Sequence, residues 1–156
     1  MLTEKNNQQK RDLADNYFNS YKKKEKEIKS RLISFKSLTE KQQFQEFLFC
    51  LLTPQSNAQR CWQAVEEISS LPTLTKQNVT KILSTKTRFH HTKTKRILES
   101  QNTWKLIKKN LSLPTIDLRN FLAKNINGLG LKESAHFLRN IGLSNNQIAI
   151  LDRHIL

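Results

Sequence analysis

Glycine and proline are scarce in this chain, with three of each among its 156 residues. A β-rich fold with many tight turns needs far more of both, whereas the abundant Lys, Leu, Gln and Glu favour helices. An all-α fold is therefore expected. Cysteine is nearly absent as well: Cys50 and Cys61 form no CxxC pair. Cys50 lies inside the apolar run "FLFCLL", where a buried thiol is expected. Two separated cysteines do not supply the four-ligand set of a structural zinc or an iron–sulfur cluster. No apolar run approaches the roughly 18 residues of a membrane span, and "MLTEKNNQQKRDL" lacks the apolar core of a signal peptide. A soluble, intracellular protein is expected, with no membrane partner. Acidic residues are the last shortage: 13 Asp and Glu face 27 Lys and Arg, a formal net charge of +14. Such a field favours polyanionic partners, nucleic acid first among them.

The length suits one domain with a real core. From about Glu4 to Phe35, Leu13, Tyr17, Tyr21, Ile28, Leu32 and Phe35 fall on one helical stripe. The charge run "KKKEKEIKSR" between them reads as a solvated face. Thr39 and Gln42 suit a capping box, after which Phe44, Phe47, Leu48 and Leu51 predict a buried helix ending near Thr53-Pro54. Ser56 with Gln59 repeats that start signal ahead of Trp62, Val65 and Ile68. "SLPT" occurs at 70–73 and 112–115, each time before a short helix, with the basic "KTRFHHTKTKRIL" and a helix through Ile97, Trp104 and Ile107 between. No linker interrupts the series, so a bundle of seven or eight helices over 1–156 is expected.

All three glycines fall within "NINGLGLKESAHFLRNIG", residues 125–142. Gly142 suits the C′ position of a helix beginning near Leu131, where φ is positive. Gly128 and Gly130, flanking Leu129, let the backbone turn sharply and approach another chain closely. The following helix start leaves unpaired N–H groups outward, suited to a phosphate. The spacing predicts a helix–hairpin–helix; an ordinary αα-hairpin would share the GxG turn. Lys132 adds something an ordinary turn does not need. A cation in a first helical turn opposes the macrodipole, and that positive end, together with burial, pushes an amine toward its neutral, nucleophilic form. In "AILDRHIL", Asp152 is a carboxylate among Ile148, Ile150 and Leu151, expensive to bury without a task or a partner. A structural pairing with Arg153, His154 or Lys132 is the alternative reading.

"INGLGLKESAHFLRNIG" followed by "AILDRHIL" resembles the helix–hairpin–helix DNA glycosylase superfamily, in particular its compact archaeal and bacterial 8-oxoguanine DNA glycosylase/AP lyase branch. "FLFCLLTPQSNAQRCWQAV" and "TRFHHTKTKRI" extend the resemblance over roughly residues 40–156. It implies a bifunctional enzyme in which Lys132 attacks C1′ of the damaged nucleotide and Asp152 assists its deprotonation and stabilises the sugar cation. The target nucleotide is extruded from the duplex. It also implies DNA contacts from Gly128, Leu129 and Gly130 of the hairpin, from Gln55 inserted into the gap, and from Arg88 and Phe89 facing the abandoned base or the pocket. Loop and surface roles account equally for Gln55, Arg88 and Phe89. The expected partner is double-stranded DNA containing oxidised guanine, met by a monomer in a prokaryotic cytoplasm, associated with the nucleoid. Excision by a lysine implies no metal and no organic cofactor.

One departure stands out. Members of that branch continue for several dozen residues past "DRHIL", with a terminal lysine that takes part in recognising the oxidised base; this sequence stops at Leu156. It is thus expected to be a single domain over 1–156, truncated at its C-terminus relative to the family, either as a fragment or through loss. That departure keeps open a non-catalytic helix–hairpin–helix protein that grips DNA. A basic helical protein on anionic membranes ranks last, since the N-terminal helix lacks a strongly one-sided apolar face.

Overall fold

The computed structural model describes residues 2–150, and among these every regular element is an α-helix. The chain divides into two units, Met1–Phe35 and Lys36–Leu156, where the sequence suggested one bundle. The first unit is essentially one long helix, α1 (Leu2–Lys36). Its expected stripe exists in register, yet Leu13, Tyr17, Tyr21, Ile28 and Leu32 are all exposed. Lys22 and Lys29 pair with Glu25 along the charged face, worth a few tenths of a kcal/mol per pair at most.

The second unit begins at a capping box. The Thr39 hydroxyl accepts from Gln42 N–H at 3.3 Å, and Gln42 Oε1 accepts from Thr39 N–H at 2.8 Å, starting α2 (Glu40–Leu52). For α3 (Ala58–Ser69) the expected Ser56 start moves by one residue: Asn57 Oδ1 accepts from Arg60 N–H at 3.0 Å. Ser56 is not spare, because its hydroxyl serves two other groups described below. Thr75 and Asn78 form a second capping box for α4 (Lys76–Lys86). After it come α5 (His90–Asn110), α6 (Thr115–Asn125) and α7 (Leu131–Asn140). The two "SLPT" segments do different work. Pro114 caps α6 directly, whereas Thr73 lies ahead of α4 and offers its carbonyl to Asn78.

Helices α2 and α5 form the centre, with α7 and α3 against α2 and α4 against α5. Phe47 is fully buried, its ring 6.0 Å from both Trp104 of α5 and Phe137 of α7. The interior continues through Leu51, Leu52, Val65, Leu83, Ile97 and Ile107. Cys50 and Cys61 are both buried free thiols, as the apolar run around Cys50 implied. Helices α6 and α7 pack on one another as the two arms of the glycine-bearing hairpin. Gly142, at φ 76, closes α7: its N–H reaches Arg139 C=O at 3.0 Å and Leu143 N–H reaches Leu138 C=O at 2.8 Å. This Schellman pattern satisfies carbonyls the helix end would otherwise orphan.

Candidate active site and DNA interface

The hairpin between α6 and α7 turns on one glycine. Leu129 N–H donates to Ile126 C=O at 3.1 Å, closing a four-residue turn with Gly128 at φ +100. A turn residue at positive φ favours glycine. A second constraint is steric: a Cβ there would lie 2.8 Å from Arg96 Cδ and 2.9 Å from its Nε. Gly130 is extended (φ −85, ψ −174) and serves as N-cap of α7, its N–H donating to Glu133 Oε2 at 3.3 Å. The Leu129 side chain is buried in the core. Beside this turn runs a groove of ≈ 560 Å³, lined in part by Lys124, Asn127, Gly128, Gly130 and Arg96. Arg96 Nε is buried there without a hydrogen-bond partner.

Lys132, second residue of α7, is exposed and borders a neighbouring cleft of ≈ 810 Å³. Gln55 and Arg88 border the same cleft. Residues that are 77 positions apart in sequence (55 to 132) thus share one concave surface, on three separate segments. Thr53–Asn57 forms one wall, Ser84–Arg88 another, and the start of α7 the third. Phe89 is not among the lining residues but adjoins it, 57% exposed, with the Arg88 guanidinium 5.6 Å from its ring centre.

Two backbone conformations mark these walls. Gln55 sits at φ 54, after Pro54, in a turn closed by Ser56 N–H to Thr53 C=O at 3.0 Å. Phe89 sits at φ 56 as N-cap of α5, with no side-chain capping bond. Bulky residues avoid the left-handed region, and such outliers collect where ligands bind.

The sequence reading missed Lys93. It falls in the basic stretch at 86–98, yet its side chain is only 2% exposed. Its Nζ donates to Leu52 C=O at 2.6 Å, Pro54 C=O at 2.9 Å and Ser56 Oγ at 2.8 Å. Ser56 Oγ also accepts from Arg88 N–H at 2.9 Å. Burial pushes the Lys93 pKa down, the charge of Arg96 adding to the effect against Cys61. A usable signal was present: Lys93 precedes Ile97 by four and Ser100 by seven, on the face that buries Trp104 and Ile107. On α7, one turn past Lys132, His136 packs edge-on against Phe49 with ring centres 5.9 Å apart. Burial first, then the charges of Arg139 and Lys132, lower its pKa to about 4. Asp152, the other catalytic candidate, lies outside the described residues.

An α-helical unit with a glycine-turned hairpin, a lysine at the start of its second arm and a basic-edged cleft beside it defines a helix–hairpin–helix protein of the DNA-glycosylase type. The family described as 8-oxoguanine DNA glycosylase matches residues 25–156. The chain is 36% identical to the 8-oxoguanine DNA glycosylase/AP lyase of Fusobacterium nucleatum, over 90% of its own length and 72% of that protein. It is 34% identical to the enzyme of that name from Sulfurisphaera tokodaii, over 72% of the chain but only 57% of the relative. The fold matches the Methanocaldococcus jannaschii 8-oxoguanine glycosylase/lyase crystallised with a 15mer DNA containing 8-oxoguanine. There the TM-score is 0.71 at 29% identity, covering 83% of this chain and 65% of that one. The chain belongs to the 8-oxoguanine DNA glycosylase family.

Among the described residues, no helix is long and apolar enough to cross a membrane.

Proposed function

We propose that this chain excises 8-oxoguanine from duplex DNA and then nicks the strand 3′ to the lesion, acting as a monomer. The observation that carries the reading is the placement of Lys132 on one cleft with Gln55 and Arg88, beside the Gly128 turn, in a chain of this family. The nucleotide is too deeply stacked to react in place, so it is flipped toward the cleft. The Lys132 Nζ lone pair attacks C1′ as the C1′–N9 bond breaks; its electron pair leaves with the base, which takes up a proton. Loss of an amine proton and opening of the sugar ring give an imine between Lys132 and C1′. Removal of a C2′ proton then expels the 3′ phosphate, and hydrolysis of the imine frees the lysine. Asp152 receives the amine proton and stabilises the positive charge that develops on the sugar. None of these bonds requires a metal or organic cofactor.

Around the site, Gly128 and Gly130 bring the hairpin backbone close to a phosphate. Gln55, Arg88 and Phe89 supply an amide, a guanidinium and an exposed ring for the gap and the unpaired base. With chromosomal DNA as substrate, the place of work is the nucleoid of a prokaryotic cell. The test uses duplexes with 8-oxoguanine opposite each normal base, scored for nicking and, with borohydride, for a covalent adduct. Wild type is expected to form the adduct and Lys132→Gln to form none. Trapping of Lys132→Gln at the wild-type level would show that another amine is the nucleophile. Duplex binding with neither adduct nor nick would leave a non-catalytic DNA-gripping protein.

A further inference from the structure

The two walls of the cleft that do not carry Lys132 are joined by the Ser56 hydroxyl, and a buried amine, Lys93, braces the wall that holds Ser56. Lys93 Nζ has three acceptors, Leu52 C=O, Pro54 C=O and Ser56 Oγ, all within 2.9 Å. Three acceptors match the three N–H bonds of an ammonium and leave none unused. Two of them are carbonyls at and just past the end of α2, where a helix leaves C=O groups unpaired and its dipole favours a cation. The third, Ser56 Oγ, also receives Arg88 N–H at 2.9 Å. A chain of hydrogen bonds therefore runs from Lys93 through Ser56 to the Arg88 backbone. It fixes Gln55, held between Pro54 and Ser56, relative to Arg88. Both hold costly neighbourhoods in place, Gln55 itself at φ 54 and Phe89, next to Arg88, at φ 56.

We infer that Lys93 is a positioning residue for base discrimination: its ammonium sets the spacing of Gln55 and Arg88 across the cleft, and so which unpaired base the site accepts. The chemistry of the walls supports this role. A glutamine amide on one wall and an arginine guanidinium on the other can each read base edges by paired hydrogen bonds. Lys132 stands on α7, which makes none of these bonds, so loosening the walls leaves the nucleophile in place. The inference rests on the glycosylase/lyase reading above.

The test uses the whole chain on duplexes with an abasic site opposite each of the four bases, so that no damaged base need be recognised. In Lys93→Met, KM for the preferred duplex is expected to rise about tenfold and the preference among opposite bases to flatten, with kcat within about threefold of wild type. A purely structural lesion lowers the active fraction instead, reducing kcat at unchanged KM and preference; that result overturns the inference. Lys93→Arg, which keeps the charge, is expected to recover part of the preference. Ser56→Ala removes the bridge to Arg88 together with one of the three Lys93 acceptors, and serves if Lys93→Met fails to fold; it should flatten the preference too, and a retained preference overturns the proposal. Hydrogen exchange at the Arg88 amide gives a readout independent of turnover, expected about tenfold faster in either folded variant. Unchanged exchange means that no coupling exists. A wild-type chain that nicks without regard to the opposite base overturns the inference alone, whereas one that neither nicks nor forms an adduct overturns the reading beneath it as well.

Discussion

Gly128→Ala separates the two reasons for a glycine at the hairpin. The first is conformational: φ +100 lies beyond the left-handed region that side chains tolerate, at about 1–2 kcal/mol for an L-residue. The second is steric, because the new methyl would stand 2.8 Å from Arg96 Cδ and 2.9 Å from Nε. Contacts between such atoms prefer about 3.5–4.0 Å, and relieving overpacking typically adds about 1–3 kcal/mol. Arg96 gives way poorly, since its Nε is buried. The middle of the combined range is about 3.5 kcal/mol, a fall in Tm of roughly 7–14 °C for a chain this size. Gly130→Ala is the control: its φ is ordinary, and the new methyl meets only Glu133 Oε2 at 3.0 Å, the end of a flexible side chain. That variant should lose less than about 1 kcal/mol. Urea unfolding of both variants, and of Gly128→Ala in an Arg96→Ala background, measures the terms. Removing Arg96 should return the steric share and leave the conformational one. Equal costs for Gly128→Ala and Gly130→Ala, or no recovery with Arg96→Ala, would refute this account of the turn.

Two further predictions concern charge. The cleft and hairpin groove present Arg60, Lys86, Arg88 and Lys132, together with Lys124 and Arg96. With Lys132 at C1′ and Arg88 at the unpaired base, one phosphate for each of the other four gives a log–log salt slope of about −4, on the order of 10²-fold between about 50 and 200 mM; a nearly flat titration would remove the backbone footprint. His136 makes stability fall in acid. Its folded pKa is about 4 against 6.5 in the open chain, so between those values the unfolded state holds more protons. Stability is therefore complete above about pH 6.5 and is lost as pH drops toward 4, by at most about 3 kcal/mol and less given its partial solvent contact. Denaturant midpoints across that window should slope for wild type and flatten for His136→Leu, and an unchanged slope would assign the effect elsewhere.

Local signals carried much of this protein, and the exceptions share a cause. The capping box at Thr39 and Gln42, the Schellman glycine at Gly142 and the buried Cys50 were readable because each depends on neighbours within one helical turn. The GxG spacing did not show which glycine needs its freedom: Gly128 takes the positive φ, whereas Glu133 draws the Gly130 N–H into an extended cap. The start of α3 shifted from Ser56 to Asn57 because Ser56 is engaged by Arg88 and Lys93, 32 and 37 residues away. A basic run does not reveal that one lysine turns inward to the end of another helix. By itself, then, the sequence determined the helical class, the basic character, the hairpin and its lysine, all properties of composition and short-range spacing. Only tertiary packing decided that Gln55, Arg88 and Lys132 face a common cleft, and that Lys93 is bonded to the wall on either side of Gln55. Helix ends distant in the chain had first to be brought together, with their unpaired carbonyls demanding a buried donor.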